Sequence, residues 1–357
     1  MNQSLDASLA GPTTRSGVKT AQNAIITWFV SDEANEATFL PQVQSLSHTP
    51  KTKITYWRCA VVFFASSLAV NPDARHVFFT NCDLPVIEGI DLASLFSCWG
   101  VEVVRLPITF RLECGAVSAW GNQFYVFDII AYLAANALAE QAIILDSDCI
   151  WLKPIDEMAD AIATSGCIGY FLGEDEHPGD EAINGLSRAG MARFLATHGG
   201  PLRGTTPYYG GEIYAARQDI TCRIADRFAM LWPLVLGHVS DAPREEAHLL
   251  SILYALDGIE NCEGNRFIRR MWTTFHHNNL ASTDRALTIW HLPAEKRTGF
   301  RDLFRDVVAA PGLHPTHDAN RMGLQFENYA RRVGWPRRTA QKFVRDASLV
   351  LLGKVTR

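Results

Sequence analysis

An α/β fold is predicted: an open, twisted, mainly parallel sheet flanked by helices. Three observations predict it. Short apolar runs alternate with longer stretches of helical spacing from residue 24 to 145, the order expected of strands joined by right-handed helical crossovers. The run 142–145 (AIIL) is unbroken and then meets Asp146-Ser147-Asp148, as a strand buried on both faces does when it reaches its polar end. The composition, 48% hydrophobic and 20% charged over 357 residues, is that of a globular chain with a sizeable core.

In order, residues 1–22 are polar and rich in Ser, Thr and Gly and predict a disordered tail. A first strand at 24–30 (AIITWFV) ends in Ser31-Asp32-Glu33. A helix at 54–68 stops before Asn71-Pro72. A second strand at 76–80 (HVFFT) ends in Asn81-Cys82-Asp83. A helix at 92–99 leads to a third strand at 101–106 (VEVVRL). Phe127, Ile130, Ala134 and Leu138 recur at helical spacing through 124–138, and the Asp-Ser-Asp strand comes fourth. The pattern then loosens: a strand at 167–172, an acidic loop at 173–180, a helix at 185–198, a turn and strand at 207–217, helices at 219–236 and 245–256, and a strand at 287–292. From Arg297 on the chain is basic and partly helical.

The formal net charge of -5 argues against bulk nucleic-acid binding. Eight cysteines without a C-x-x-C pair read as reduced thiols rather than a disulfide framework or zinc site. No apolar leader opens the chain, and the longest apolar stretch, 59–70, is too short to span a bilayer. A cytoplasmic enzyme is expected, with membrane association through the basic C-terminus as the wider reading.

Ligands of open α/β sheets sit at the carboxyl ends of the strands. There Asp146 and Asp148, two residues apart, point the same way. Two adjacent carboxylates repel unless a cation or proton lies between them, and oxygen ligands suit Mg or Mn carrying phosphate oxygens. No glycine-rich phosphate loop follows any strand, so the ion must make the phosphate contacts. Gly210-Gly211-Glu212 offers a bare backbone beside a carboxylate for sugar hydroxyls, or a bulge. Glu245-Glu246 opens an apolar helix, as acidic residues do for helix dipoles; either could meet an acceptor hydroxyl. His291 ends a strand and is the candidate third ligand, with Lys296 and Arg297 nearby to neutralise a diphosphate. His276, His277, Asn278 and Asn279 read as a surface turn. The stretch 331–357 carries eight basic residues, with Phe343, Val344, Leu349, Val350 and Leu351 as an apolar side. It predicts a packed helix with a wet basic face, with anionic lipid as the other reading.

In this order the motifs resemble the GT-A glycosyltransferase fold, most like the family 8 type of retaining enzymes that use nucleotide-sugar donors. The resemblance covers roughly residues 23–300, on motif order. LDSDCIWLKP resembles the family's Asp-x-Asp strand, which implies Mn held by Asp146 and Asp148. GGE at 210–212 is similar to its acceptor-side loop, the glutamate pair to its acidic pair at a helix start, and His291 to its C-terminal metal histidine. HLPAEKRTGF departs from the family's His-x-x-Gly-x-x-Lys-Pro-Trp: Ala294 replaces the glycine, Arg297 stands at the lysine position and Pro-Trp is absent.

The expected function is metal-dependent transfer of a sugar from a nucleoside diphosphate sugar to a hydroxyl of a glycan, lipid-linked or protein acceptor, with Mn or Mg as cofactor. The nucleotide would lie near Val30, Asp32 and Asn81, within a donor-binding half at 23–165. The acceptor would enter beside Tyr209, Glu212 and Glu246, in a half at 166–310, with 311–357 a basic extension. An inverting reaction needs Glu246 or Glu245 as general base; a retaining one, towards which the resemblance leans, does not. The rivals are a haloacid-dehalogenase-like phosphatase, with the first Asp as nucleophile, and a non-catalytic sugar-binding protein on the same fold.

Overall fold

The computed structural model describes residues 21–113, 119–173, 181–198, 200, 205–237, 242–259, 264–309 and 319–355. The expected tail lies outside these residues, save that Ala21 and Gln22 already belong to the first strand; the acidic loop lies outside them from 174 to 180.

The chain runs β1 (Ala21–Phe29), a ribbon of β2 (Phe39–Leu40) and β3 (Ser45–Leu46), α1 (Pro50–Val70), β4 (Arg75–Thr80), a ribbon of β5 (Val86–Ile87) and β6 (Ile90–Asp91), α2 (Leu92–Cys98), β7 (Glu102–Arg105), α3 (Tyr125–Asn136) and β8 (Ala139–Leu145). After Asp146-Ser147-Asp148 come β9 (Cys149–Trp151), α4 (Asp156–Ser165), β10 (Cys167–Phe171), α5 (Arg188–Thr197), β11 (Tyr209–Arg217), α6 (Gln218–Gly237) and α7 (Glu246–Leu256). β12 (Ile268–Arg270), β13 (Ile289–His291), α8 (Gly299–Val308), α9 (Ala319–Val333) and α10 (Ala340–Val355) complete it.

The central sheet has the order β10-β11-β8-β1-β4-β7. β8, β1, β4 and β7 are parallel, and β11 alone runs against its neighbours. The mainly parallel sheet flanked by helices is therefore the one the alternation predicts, and the Asp-x-Asp strand is the fourth to enter it. Its inner strands carry Ile25, Ile26, Val77, Phe78, Ile143 and Ile144 with essentially no exposure, which is why they read as unbroken apolar runs.

A second, three-stranded sheet, β12-β13-β9, was legible only in β13, which lies within the strand expected at 287–292; β9 and β12 were not. Those two are three residues each, too short to show a period. The sheet fixes the site, because β9 is the direct continuation of the Asp-x-Asp turn and pairs antiparallel with β13, setting His291 opposite Cys149. Leu292 N–H donates to Asp148 O at 3.0 Å, closing that junction. Helix α1 backs both sheets. Thr49 caps it by accepting from Thr52 N–H, with Pro50 in the first turn. Ser66 Oγ accepts from Trp151 N–H at 3.1 Å, and Asn71 Oδ1 from Ile155 N–H at 2.7 Å.

The C-terminal helix departs from its expected faces. Phe343 and Val344 are 49% and 67% exposed, whereas Lys342 and Asp346 are buried; over its described side chains α10 is held by an ion-pair network, and Leu349, Val350 and Leu351 lie outside those described. The cysteines within the described residues are thiols rather than disulfides, with Cys59, Cys149 and Cys167 buried.

Candidate active site

The carboxyl ends of β1 and β8, the N-terminus of α7 and the ends of β12 and β13 open onto one cleft of about 360 Å³, within the range of small-molecule sites. It is lined by Val30, Tyr56, Asp146, Asp148, Glu212, Glu245, Glu246, Arg270, His291 and Lys296, among others.

Asp146, Asp148 and His291 converge: one ligand atom from each lies within 4.8 Å of the others. His291 Nε2 is 3.4 Å from Asp146 Oδ2 and 3.3 Å from Asp148 Oδ2. Asp148 is fully buried, while the Asp146 side chain keeps 35% exposure towards the cleft. Lys296 Nζ stands 2.8 Å from Asp148 Oδ2, an ion pair with both side chains buried. Asp148 Oδ1 is buried without a hydrogen-bond partner, and the His291 nitrogens, 3.3–3.6 Å from carboxylate oxygens, are buried without a hydrogen bond. Buried polar atoms are rarely left so. Two carboxylates and an imidazole nitrogen are a donor set that fits a divalent ion.

Behind His291, Nδ1 faces Glu212 Oε1 at 3.6 Å. Glu212 is itself gripped by Arg270, whose Nε and Nη2 donate to its two oxygens at 2.9 and 2.7 Å. A carboxylate behind the second nitrogen of a histidine fixes its ring orientation. Burial raises the Glu212 pKa, but Arg270 and then His291 outweigh it and bring it down to about 2. Burial likewise opposes ionisation of Asp148, yet Lys296 and His291 hold it below the usual carboxylate range. Burial lowers Lys296, and Asp148 more than restores it, so its pKa lies above the ordinary lysine value.

The glutamate pair separates. Glu245 is held by the Tyr208 hydroxyl and by Asn184 Nδ2 at 2.5 Å. Glu246 has Oε2 buried and unpartnered, and burial, then Glu245, then Asp146, push its pKa well above the carboxylate range. The glycine pair gains a reason different from ligand approach. A Cβ on Gly210 would stand 2.0 Å from Glu212 Oε2, and one on Gly211 2.0 Å from Glu246 Oε1. The bare backbone seats the protein's own carboxylates.

Other expected residues stand apart from the lining. Asn81 brackets the Ser31 backbone, accepting from its N–H and donating to its carbonyl. Asp32 is buried beneath the cleft, paired with Arg111 at 3.1 Å and accepting from Asn122. Asp83 is 99% exposed and pairs with Arg105. Arg297 donates to Gln44 Oε1 at 2.6 Å, away from the triad, so Lys296 is the cation beside the ligand cluster. Tyr209 packs edge-on against Tyr254, while its neighbour Tyr208 faces the cleft. The 276–279 cluster is a turn in which His277 stacks on Trp272 and Asn279 accepts from Trp272 N–H. Sequence reasoning missed Arg270, Tyr56 and Trp272. The one signal for Arg270 was a charged pair set between apolar Phe267, Ile268 and Met271.

No family model and no curated protein matches this chain. Among solved structures it is similar to the galactosyltransferase LgtC in complex with donor and acceptor sugar analogs, at 11% identity and a TM-score of 0.47 over 81% of this chain and 98% of that one. An active-site mutant of LgtC gives 12% and 0.45 over the same shares. The apo glycosyltransferase GlyE of Streptococcus pneumoniae TIGR4 gives 11% and 0.38 over 68% of this chain and 45% of that one. With TM-scores below 0.5 these likenesses carry no weight for function, which has to rest on the chain's own site.

Proposed function

We propose that this chain is a metal-dependent GT-A-type glycosyltransferase that moves a sugar from a nucleoside diphosphate sugar to an acceptor hydroxyl. One observation carries it: Asp146, Asp148 and His291 converge on the cleft, each with a ligand atom within 4.8 Å of the others, and Asp148 Oδ1 is buried without a hydrogen-bond partner. Asp146, Asp148 and His291 would hold Mn or Mg, which supplies Lewis-acid neutralisation of a leaving diphosphate.

The chain's own groups do the rest. Lys296 Nζ, fixed against Asp148 at 2.8 Å, adds a preorganised positive charge on the diphosphate side. Glu212 and Arg270 hold the His291 ring. Val30 and Tyr56 wall the side assigned to the nucleotide, in the half at 23–165. The acceptor side is formed by Tyr208, Glu245 and Glu246, from the half at 166–310. Glu212 and Glu245 are held by protein partners, so Glu246 is the carboxyl with an oxygen free for an acceptor hydroxyl. Burial raises the Glu246 pKa, the direction in which general bases are tuned, so this carboxyl suits hydrogen bonding to the acceptor hydroxyl and, in an inverting transfer, removal of its proton.

The test is nucleoside diphosphate release from a panel of nucleotide sugars with Mn. Turnover that needs the metal is expected, and Asp148→Asn should lower it roughly a hundredfold or more with the folded circular-dichroism spectrum kept. Unchanged turnover in that variant, or hydrolysis of phosphate monoesters without any use of nucleotide sugars, would overturn the reading.

A further inference from the structure

The 292–298 turn, which carries Lys296 from β13 to α8, is held from outside the cleft. Its Glu295 is 2% exposed although it lies next to Lys296. The carboxylate folds back over Gly299, where a Cβ would stand 2.6 Å from Oε2. It accepts from the Thr273 and Thr298 hydroxyls. Its ionic partner comes from the far end of the chain: Lys342 Nζ, on the first turn of α10, donates to Glu295 Oε1 at 2.6 Å with both side chains at 2–3% exposure. Lys342 also reaches Asp346 at 3.1 Å, and Arg345 approaches Glu295 Oε2 at 3.4 Å. Just ahead of α10, Arg338 donates to the carbonyls of Thr273 and Thr274, so the Trp272 wall of the cleft is tied to the same segment.

We propose that Lys342, through its buried ion pair with Glu295, is a positioning residue that holds the Lys296 turn against Asp148, making the C-terminal helix a working part of donor-diphosphate binding. The inference rests on the glycosyltransferase reading. Charge placed away from water is costly unless closely paired, so such a pair does not persist by accident of surface charge. It has one geometric consequence for the cleft. Glu295 is bonded along the chain to Lys296, and the hydrogen bonds Glu295 N–H to Leu292 O and Thr298 N–H to Glu295 O leave the turn little freedom. A shift of Glu295 is therefore passed on to Nζ of Lys296, where an error of about 1 Å can cost roughly a hundredfold in rate.

The experiment measures binding of UDP, GDP, ADP, CDP and dTDP, each with Mn, by calorimetry, and kcat and KM for the matching nucleotide sugar. Lys342→Met is expected to weaken the best diphosphate roughly tenfold and to raise the donor KM, while the Mn-only affinity stays within about twofold. Should that variant fail to fold, Glu295→Gln/Lys342→Met removes both charges and is measured instead. The decisive arm is Lys296→Met: if Lys342 acts through Lys296, adding Lys342→Met to it should change diphosphate binding by less than about twofold. Full additivity of the two losses overturns the proposal, as does a folded Lys342 variant that binds diphosphate like the parent. Absence of diphosphate binding in the parent chain itself overturns the glycosyltransferase reading, and this inference with it.

Discussion

Substituting Gly211 by alanine would separate the two halves of the cleft's chemistry. The new Cβ would meet Oε1, Cδ and Cγ of Glu246 at 2.0, 2.7 and 2.8 Å, so the glutamate must swing away. Glu246 feels Asp146 of the triad through its charge, while Lys296 is paired with Asp148. Gly211→Ala is expected to fold at a cost of about 1–3 kcal/mol. It should keep Mn–diphosphate affinity within about twofold and lose roughly ten- to a hundredfold in transfer to acceptor; equal losses in both would show that Glu246 does not serve the acceptor alone. The same position shows what one residue's sequence context could reveal. Asp146 and Asp148 were legible, because side chains two apart at a strand end share a side. Which of Glu245 and Glu246 faces inward was not. Both precede the same apolar helix, and the choice is made by Tyr208 and Asn184, which capture Glu245 from 37 and 61 residues away. Glu212 was placed beside sugar hydroxyls for want of Arg270, which lies 58 residues on and takes both its oxygens.

Among the elements, β4 and α1 are joined by a histidine that must stay neutral. His76 is 3% exposed; Nδ1–H donates to Ala74 O at 3.0 Å, leaving Nε2 to accept from Ser67 Oγ of α1 at 2.8 Å. Burial lowers its pKa to about 4, with the bond to Ala74 opposing only part of the effect. Between that value and the ordinary 6.5 the unfolded chain binds a proton that the folded chain refuses. The stability contribution is thus present above about pH 6.5 and lost as the pH falls towards 4. From pH 7 to 5 this amounts to about 2 kcal/mol. Denaturant melts should show His76→Gln losing that much less stability than the parent over this interval; parallel slopes would exclude a neutral buried imidazole. The strand holding His76 was legible from HVFFT, as were the other long apolar runs. Of the elements that complete the site only β13 was, inside the strand expected at 287–292. β9 and β12 are three residues each, and their identity as strands comes from pairing with β13 rather than from any period of their own. Helix α10 was legible as a helix but not by its buried side, since pattern reading gives the inside to Phe343 and Val344, and here it belongs to Lys342 and Asp346.

At the scale of the molecule, the triad of Asp146, Asp148 and His291 joins segments that are far apart in the chain. Asp146 and Asp148 link the central sheet to β9, and His291 arrives on β13, which leads into the Lys296 turn, α8 and, through Glu295, α10. At this meeting point Asp148 Oδ1 is buried without a hydrogen-bond partner, a cost that falls on the folded state alone. A ligand bound there should therefore stabilise the whole chain rather than one lobe. At a concentration one hundred times its dissociation constant, Mn–nucleoside diphosphate adds about 2.7 kcal/mol. For a chain of 357 residues that corresponds to a rise in Tm of roughly 3–4 °C in a single cooperative transition. The expected pattern across a thermal-shift screen is a small rise with Mn, a larger one with Mn and the right diphosphate, reversal by EDTA, and no rise in Asp148→Asn or His291→Ala. A rise with diphosphate that survives EDTA and both substitutions would place the nucleotide elsewhere and remove the triad from its binding.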